Sequence, residues 1–161
     1  MAERLKLCAR DGEDLQALAA ILQDALVPMC DMAYVPAERR FVIVANRFCW
    51  ECCAAAAEGP APAGRDGDPQ DGPLFERVHT GLCFDRVLRV RRRGIHPRES
   101  GHILSLLTMT MEDDRIYLLF AGGGAIELTV ECLRCRMEDL DEPWPTRWRP
   151  CHPADGADHA A

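Results

Sequence analysis

Residues 115–136 read RIYLLFAGGGAIELTVECLRCR. Ile116, Leu118 and Phe120 alternate with Tyr117, Leu119 and Ala121; three glycines follow; then Ile126, Leu128, Val130 and Cys132 alternate with Glu127, Thr129 and Glu131. A period of two sends successive side chains to opposite faces, the pattern of strands with one face on a core and one in water. Glycines between two such runs supply the positive φ that a tight turn needs. The block predicts a β-hairpin and commits this part of the chain to a locally paired sheet.

The rest of the chain reads around that hairpin. Leu5 to Ala9 is a short strand. Asp11 can cap a helix, with Asp14 favourable in the first turn. Leu15, Leu18, Ala19, Leu22 and Leu26 recur at helical spacing, giving about four turns, and Pro28 is expected to stop this helix near Val27. Met29–Val35 and Arg40–Trp50 read as a strand pair turning at Pro36-Ala37-Glu38, with Phe41, Ile43 and Ala45 opposed by Val42 and Val44. One strand runs from Leu82 to about Arg93, another from His102 to Met111, and Asp113-Asp114 turns into the hairpin; the last strand ends near Met137. Trp144 and Trp148 are expected to dock on the body. The fold class is therefore α+β: one N-terminal helix on a curved or partly closed antiparallel sheet of about six or seven strands.

Residues 54–73, AAAAEGPAPAGRDGDPQDGP, contain no large apolar side chain. Such a stretch buries too little to offset its ordering entropy. It is read as a flexible insertion within a single domain over 1–150, and 151–161 as a disordered tail. At 161 residues and 48% hydrophobic the chain has room for one proper core. A formal charge of −7 argues against a general binder of nucleic acid or anionic membrane, both of which need a basic surface. No apolar run is long enough to span a bilayer, and the first residues lack the apolar segment of a signal peptide, so a cytoplasmic protein is expected.

Nine cysteines are present, an odd number, and reduced thiols are expected. Cys49, Cys52 and Cys53 form C-x-x-C-C, and Cys132 with Cys135 forms C-x-x-C. Two such pairs can hold zinc when four thiolates converge. Here the second pair falls in or just beyond a strand, where residues three apart point to opposite faces about 10 Å apart. Buried or incidental thiols are the simpler reading. A metal or redox site built on Cys49, Cys52, Cys132 and Cys135 is the alternative.

Arg86, Arg89, Arg91, Arg92 and Arg93 form a basic run, in which Arg89, Arg91 and Arg93 share one face of a strand. Such a row could bind an acidic protein or a small anion, with Arg47 and Trp50 as neighbours. The plainer reading pairs the row across the sheet with Glu127 or Glu131. Gly122-Gly123-Gly124 lacks the Lys and Ser/Thr of a phosphate loop. His79 and Cys83 are too far apart on an extended chain to act as a nucleophile–base couple. No catalytic constellation and no cofactor motif emerges, although an enzyme assembled from scattered residues would leave no such trace.

The segments LKLCARDGEDLQALAAILQDALV, ERRFVIVANRFCWE, FDRVLRVRRRGI, LLFAGGGAIELTVECLRCRMEDL and EPWPTRWRP together resemble a bacterial family defined as domain of unknown function 2948. ANRF-x-WE and FAGGGAI-x-L are the most specific parts. The resemblance implies a small single domain with this helix-then-strands order. It implies no activity, substrate or catalytic residue, and cysteines at 49, 52, 53 and 135 are not part of its usual pattern. Taken together, the chain reads as a non-catalytic binding or interaction module, with a small metal-binding or redox protein as the alternative.

Overall fold

The structure is a computed structural model that describes residues 4–50, 75–95 and 101–146. The predicted insertion at 54–73, the tail at 151–161, Cys52, Cys53 and Trp148 lie outside the described residues.

The chain opens with β1 (Lys6–Ala9) and α1 (Gly12–Ile21). Asp11 caps α1 as the sequence predicts: its side chain accepts the Asp14 amide at 2.8 Å. The helix is shorter than predicted. It ends at Ile21, and Asp24 takes a left-handed φ of 62°. The next residues form β2 (Leu26–Pro28), whose Leu26 lies opposite both Asn46 and Ser105. Leu26 keeps the helical spacing in sequence, but pairing on two sides captures it for the sheet. A single turn of 3-10 helix at Met29–Asp31 separates β2 from β3 (Met32–Val35). A second at Pro36–Glu38 leads into β4 (Arg40–Phe48), which pairs antiparallel with β3.

The run predicted as one strand from Leu82 to Arg93 belongs to two. β5 (Phe75–Phe84) pairs with β4, whereas β6 (Val87–Arg93) pairs with β9. The chain changes partners at Asp85–Arg86, where Arg86 adopts φ 58°. Then come β7 (Ile103–Glu112), β8 (Arg115–Phe120), β9 (Ala125–Val130), β10 (Cys135–Asp139) and β11 (Trp144–Thr146). The predicted hairpin is β8–β9, with Gly122 and Gly123 at φ 86° and 88°.

All the pairings are antiparallel, and the path is β1-β10-β5-β4-β2-β7-β8-β9-β6, with β11 on β5 and β3 on β4. Among the described residues the sheet thus has 11 strands, nine along an open path and two off it, not six or seven. The sequence count missed short β2 and β11, which have three residues each and no alternation to read, and ran β5 into β6 and β9 into β10. Leu15, Leu18 and Leu22 from the helical segment, Phe41 and Phe84 from one half-sheet, and Ile116, Leu118, Ile126 and Leu128 from the other lie in one buried cluster. The Val87 amide donates to the Arg39 carbonyl at 2.7 Å and the Tyr34 hydroxyl donates to the Val87 carbonyl at 3.0 Å, so the head of β6 comes back to the β3–β4 turn. Among the described residues no helix is long and apolar enough to cross a membrane.

Candidate anion-binding face

The antiparallel registers of β6, β9 and β8 determine which side chains share the outer face. Arg89 lies opposite Thr129, which lies opposite Arg115; Arg91 opposite Glu127, opposite Tyr117; Arg93 opposite Ala125, opposite Leu119. Adjacent strands are about 4.8 Å apart and alternate residues along one strand about 6.7 Å. The three rows therefore form a compact grid. Arg91, Arg92, Arg93, Arg115, Tyr117 and Glu127 line a pocket of about 330 Å³ on it, closed by Leu119 and Ala125.

The charges of this grid are unequally satisfied. Arg115 reaches Glu127 at 3.9 Å and Asp114 at 4.0 Å. Tyr117 first, and the charge of Glu127 second, hold its guanidinium still more firmly protonated. Arg89, Arg91, Arg92 and Arg93 are exposed. None of them forms an ion pair or side-chain hydrogen bond with another described residue. The expected cross-strand pairing is met only in register: Glu127 faces Arg91 but contacts Arg115, while Glu131 binds Arg39 and Arg86 instead.

Arg47 and Trp50 do not join this face. Arg47 is 1% exposed. Its Nε and Nη2 donate to the two carboxylate oxygens of Asp139 at 2.9 and 2.8 Å. Asp139 also accepts the Thr80 hydroxyl at 2.7 Å and the Leu5 amide at 3.2 Å. Burial alone would raise the Asp139 pKa, but the hydrogen bonds from Arg47 and Thr80 outweigh it and hold the carboxyl below its ordinary value. Trp50 packs edge-on against Phe48 and donates its indole N–H to the Gln23 carbonyl at 3.2 Å. Both residues are structural cement in the other half of the molecule.

A second hollow, about 400 Å³, lies on the outer face of β1, β10, β5 and β4. It opens over Gly81, whose missing side chain leaves room for Leu140, and Val42 and Val44 line it. Its cations are already engaged: Lys6 with Glu138 at 3.0 Å and Arg136 with Asp85 at 3.2 Å. The larger hollow is thus charge-neutral, whereas the smaller one carries unpaired cations.

The cysteines are dispersed. The Cys49 amide bonds the Glu76 carbonyl near one end of β5, while Cys135 pairs with Phe84 at the other. Eight residues of strand separate these points, roughly 27 Å, so the two cannot share an ion. Alternation does not run on through Cys132 as predicted. β9 ends at Val130, Cys132 is exposed in the following bend, and Cys135 is buried at the start of β10. Burial drives the Cys135 thiol well above its ordinary pKa, opposite to what a thiolate ligand requires. Among the described residues no group of three or more His, Cys, Asp or Glu is placed to hold a metal ion. His79 does have an acidic partner: its Nδ1 lies 2.6 Å from Asp141 and its ring packs on Trp144. Cys83 lies four residues on along β5, about 13 Å away, and hydrogen-bonds Asp85 and Arg136.

Sequence reading missed Arg115 and Tyr117 as part of the basic face, and named Glu127 only as a cross-strand partner of the arginine row. The signal was in the hairpin itself, since all three occupy its polar phase opposite Ile116, Leu118, Ile126 and Leu128.

No match was found among curated proteins or among solved structures. The family model described as "Protein of unknown function (DUF2948)" matches residues 5–152, which takes in every strand of the sheet, and the chain belongs to that family.

Proposed function

We propose that this protein is a non-catalytic binding module whose β6–β9–β8 face takes an acidic partner. The observation that supports this is a cluster of four arginines whose side chains pair with no other described residue, on a chain of net charge −7. Elsewhere among the described residues Lys6, Arg39, Arg40, Arg86 and Arg136 have carboxylate partners, while the exposed Arg4, Arg10 and Arg134, which have no ion pair with a described residue, lie off this face. Guanidinium groups bind carboxylates and phosphates in a forked, two-point fashion. Tyr117 and Leu119 give the pocket apolar walls against which such pairs strengthen.

The test is calorimetric titration of the full chain with a hexaglutamate peptide at low and at physiological salt. Binding that weakens with salt and falls at least tenfold in Arg91→Glu/Arg93→Glu, with the thermal midpoint of the variant nearly unchanged, is the expected result. Equal affinity of the variant, or no binding at low salt, overturns the reading.

A further inference from the structure

β6 ends the strand path, so one of its hydrogen-bonding edges faces away from the sheet. The head of that edge is covered, since the Val87 amide and carbonyl bond to Arg39 and to the Tyr34 hydroxyl. From Leu88 to Arg93 no described strand or loop bonds to it. An uncovered edge of this length is a template for another strand. We infer that this edge accepts an extended acidic segment of another protein as an added strand. The inference rests on the proposed anion-binding face and names the form its partner takes.

Three observations select that occupant. First, a strand laid along β6 repeats its own alternate side chains at the same ~6.7 Å interval as Arg89, Arg91 and Arg93. A segment with Asp or Glu at every second residue therefore meets each arginine in register. Second, a second copy of this chain is a poor fit, because β6 paired on β6 would place arginines opposite arginines. Edge charges of this kind protect natural sheets from pairing with themselves, and the same charges admit a strand of opposite sign. Third, Leu88 is 47% exposed at the head of the open stretch and offers an apolar contact to an alternating acidic–apolar partner.

The experiment uses the full chain, isotope-labelled for NMR, and a seven-residue blocked peptide alternating Glu with Val. Two control peptides carry N-methyl groups on one or the other alternating set of amides, leaving every charge in place. Expected are protection from hydrogen exchange of amides between Leu88 and Arg93, a loss of at least tenfold when the pairing set is methylated and little change for the other set. A loss of at least tenfold in Arg91→Glu/Arg93→Glu is also expected. Equal affinity of all three peptides, or no amide protection, overturns strand addition while leaving the anion-binding face standing. No binding by any peptide overturns both.

Discussion

Arg47 and Arg91 are the same residue type on strands of the same sheet, yet they do opposite work. Arg47 is surrounded: two carboxylate oxygens within 2.9 Å, a hydroxyl sharing one of them, and almost no solvent. Arg91 faces water with Glu127 opposite in register and bound to Arg115 instead. The half built on β4, β5 and β10 encloses the Arg47 charge and pairs it with Asp139. The half built on β6, β8 and β9 displays charge and leaves it available. For these two arginines, surroundings rather than residue type set the role.

That contrast is sharpest at Asp139. Asp139→Ala takes the two-point carboxylate away from the buried Arg47 guanidinium, and denaturant unfolding should show a loss of about 3–5 kcal/mol. Replacing both partners by apolar residues of similar volume should recover most of this. A loss under 1 kcal/mol for Asp139→Ala would mean that water reaches Arg47 and would erase the distinction. The pH dependence has a determined sign. The folded-state pKa of Asp139 is depressed, so its stabilisation is present in full above the unfolded carboxyl value of about 4 and is lost as pH falls through the folded value. Stability of the wild type measured from neutral pH downward should decline in that acid window, and Asp139→Asn should follow a flatter curve there. The smallest effect belongs to the displayed half: Arg91→Ala should change unfolding free energy by no more than about 0.5 kcal/mol. A cost above 1 kcal/mol would show that Arg91 is tied into the sheet and is unavailable to a partner.

Much of this was legible from residue order alone. The β8–β9 hairpin, the Asp11 cap and the β3–β4 pair follow from local periodicity and turn chemistry, which act over a few residues and leave their mark in sequence. The division at Asp85–Arg86 did not, because it reflects a change of partner between β4 and β9, both distant along the chain. The buried ion pair was nearly readable. Arg47 continues the inward phase of Phe41, Ile43 and Ala45; Thr80 continues that of Val78, Leu82 and Phe84; Asp139 continues that of Cys135 and Met137. Opposite charges in the inward phase of two strands are a signal of a buried pair, since neither can be there alone. Taking Arg47 as an exposed neighbour of Arg89 ignored that phase. The arginine row itself was legible, whereas Arg115 and Tyr117 needed the register of β8 against β9 to place them beside it.

The position of β1 carries a kinetic consequence. Its partner is β10, and the Leu5–Asp139 contact joins residues 134 apart, whereas β7, β8 and β9 are successive strands joined by short turns. Bringing distant segments together costs chain entropy before any contact rewards it. The β7–β8–β9 meander is thus expected to assemble early and β1 to seat last, delivering the final hydrogen bond to the Asp139 carboxylate as it arrives. Pulse-labelled hydrogen exchange during refolding would read this order as early protection of Ile116–Phe120 and late protection of Lys6–Ala9. The half of the molecule that holds its charge most tightly would then be the half completed last.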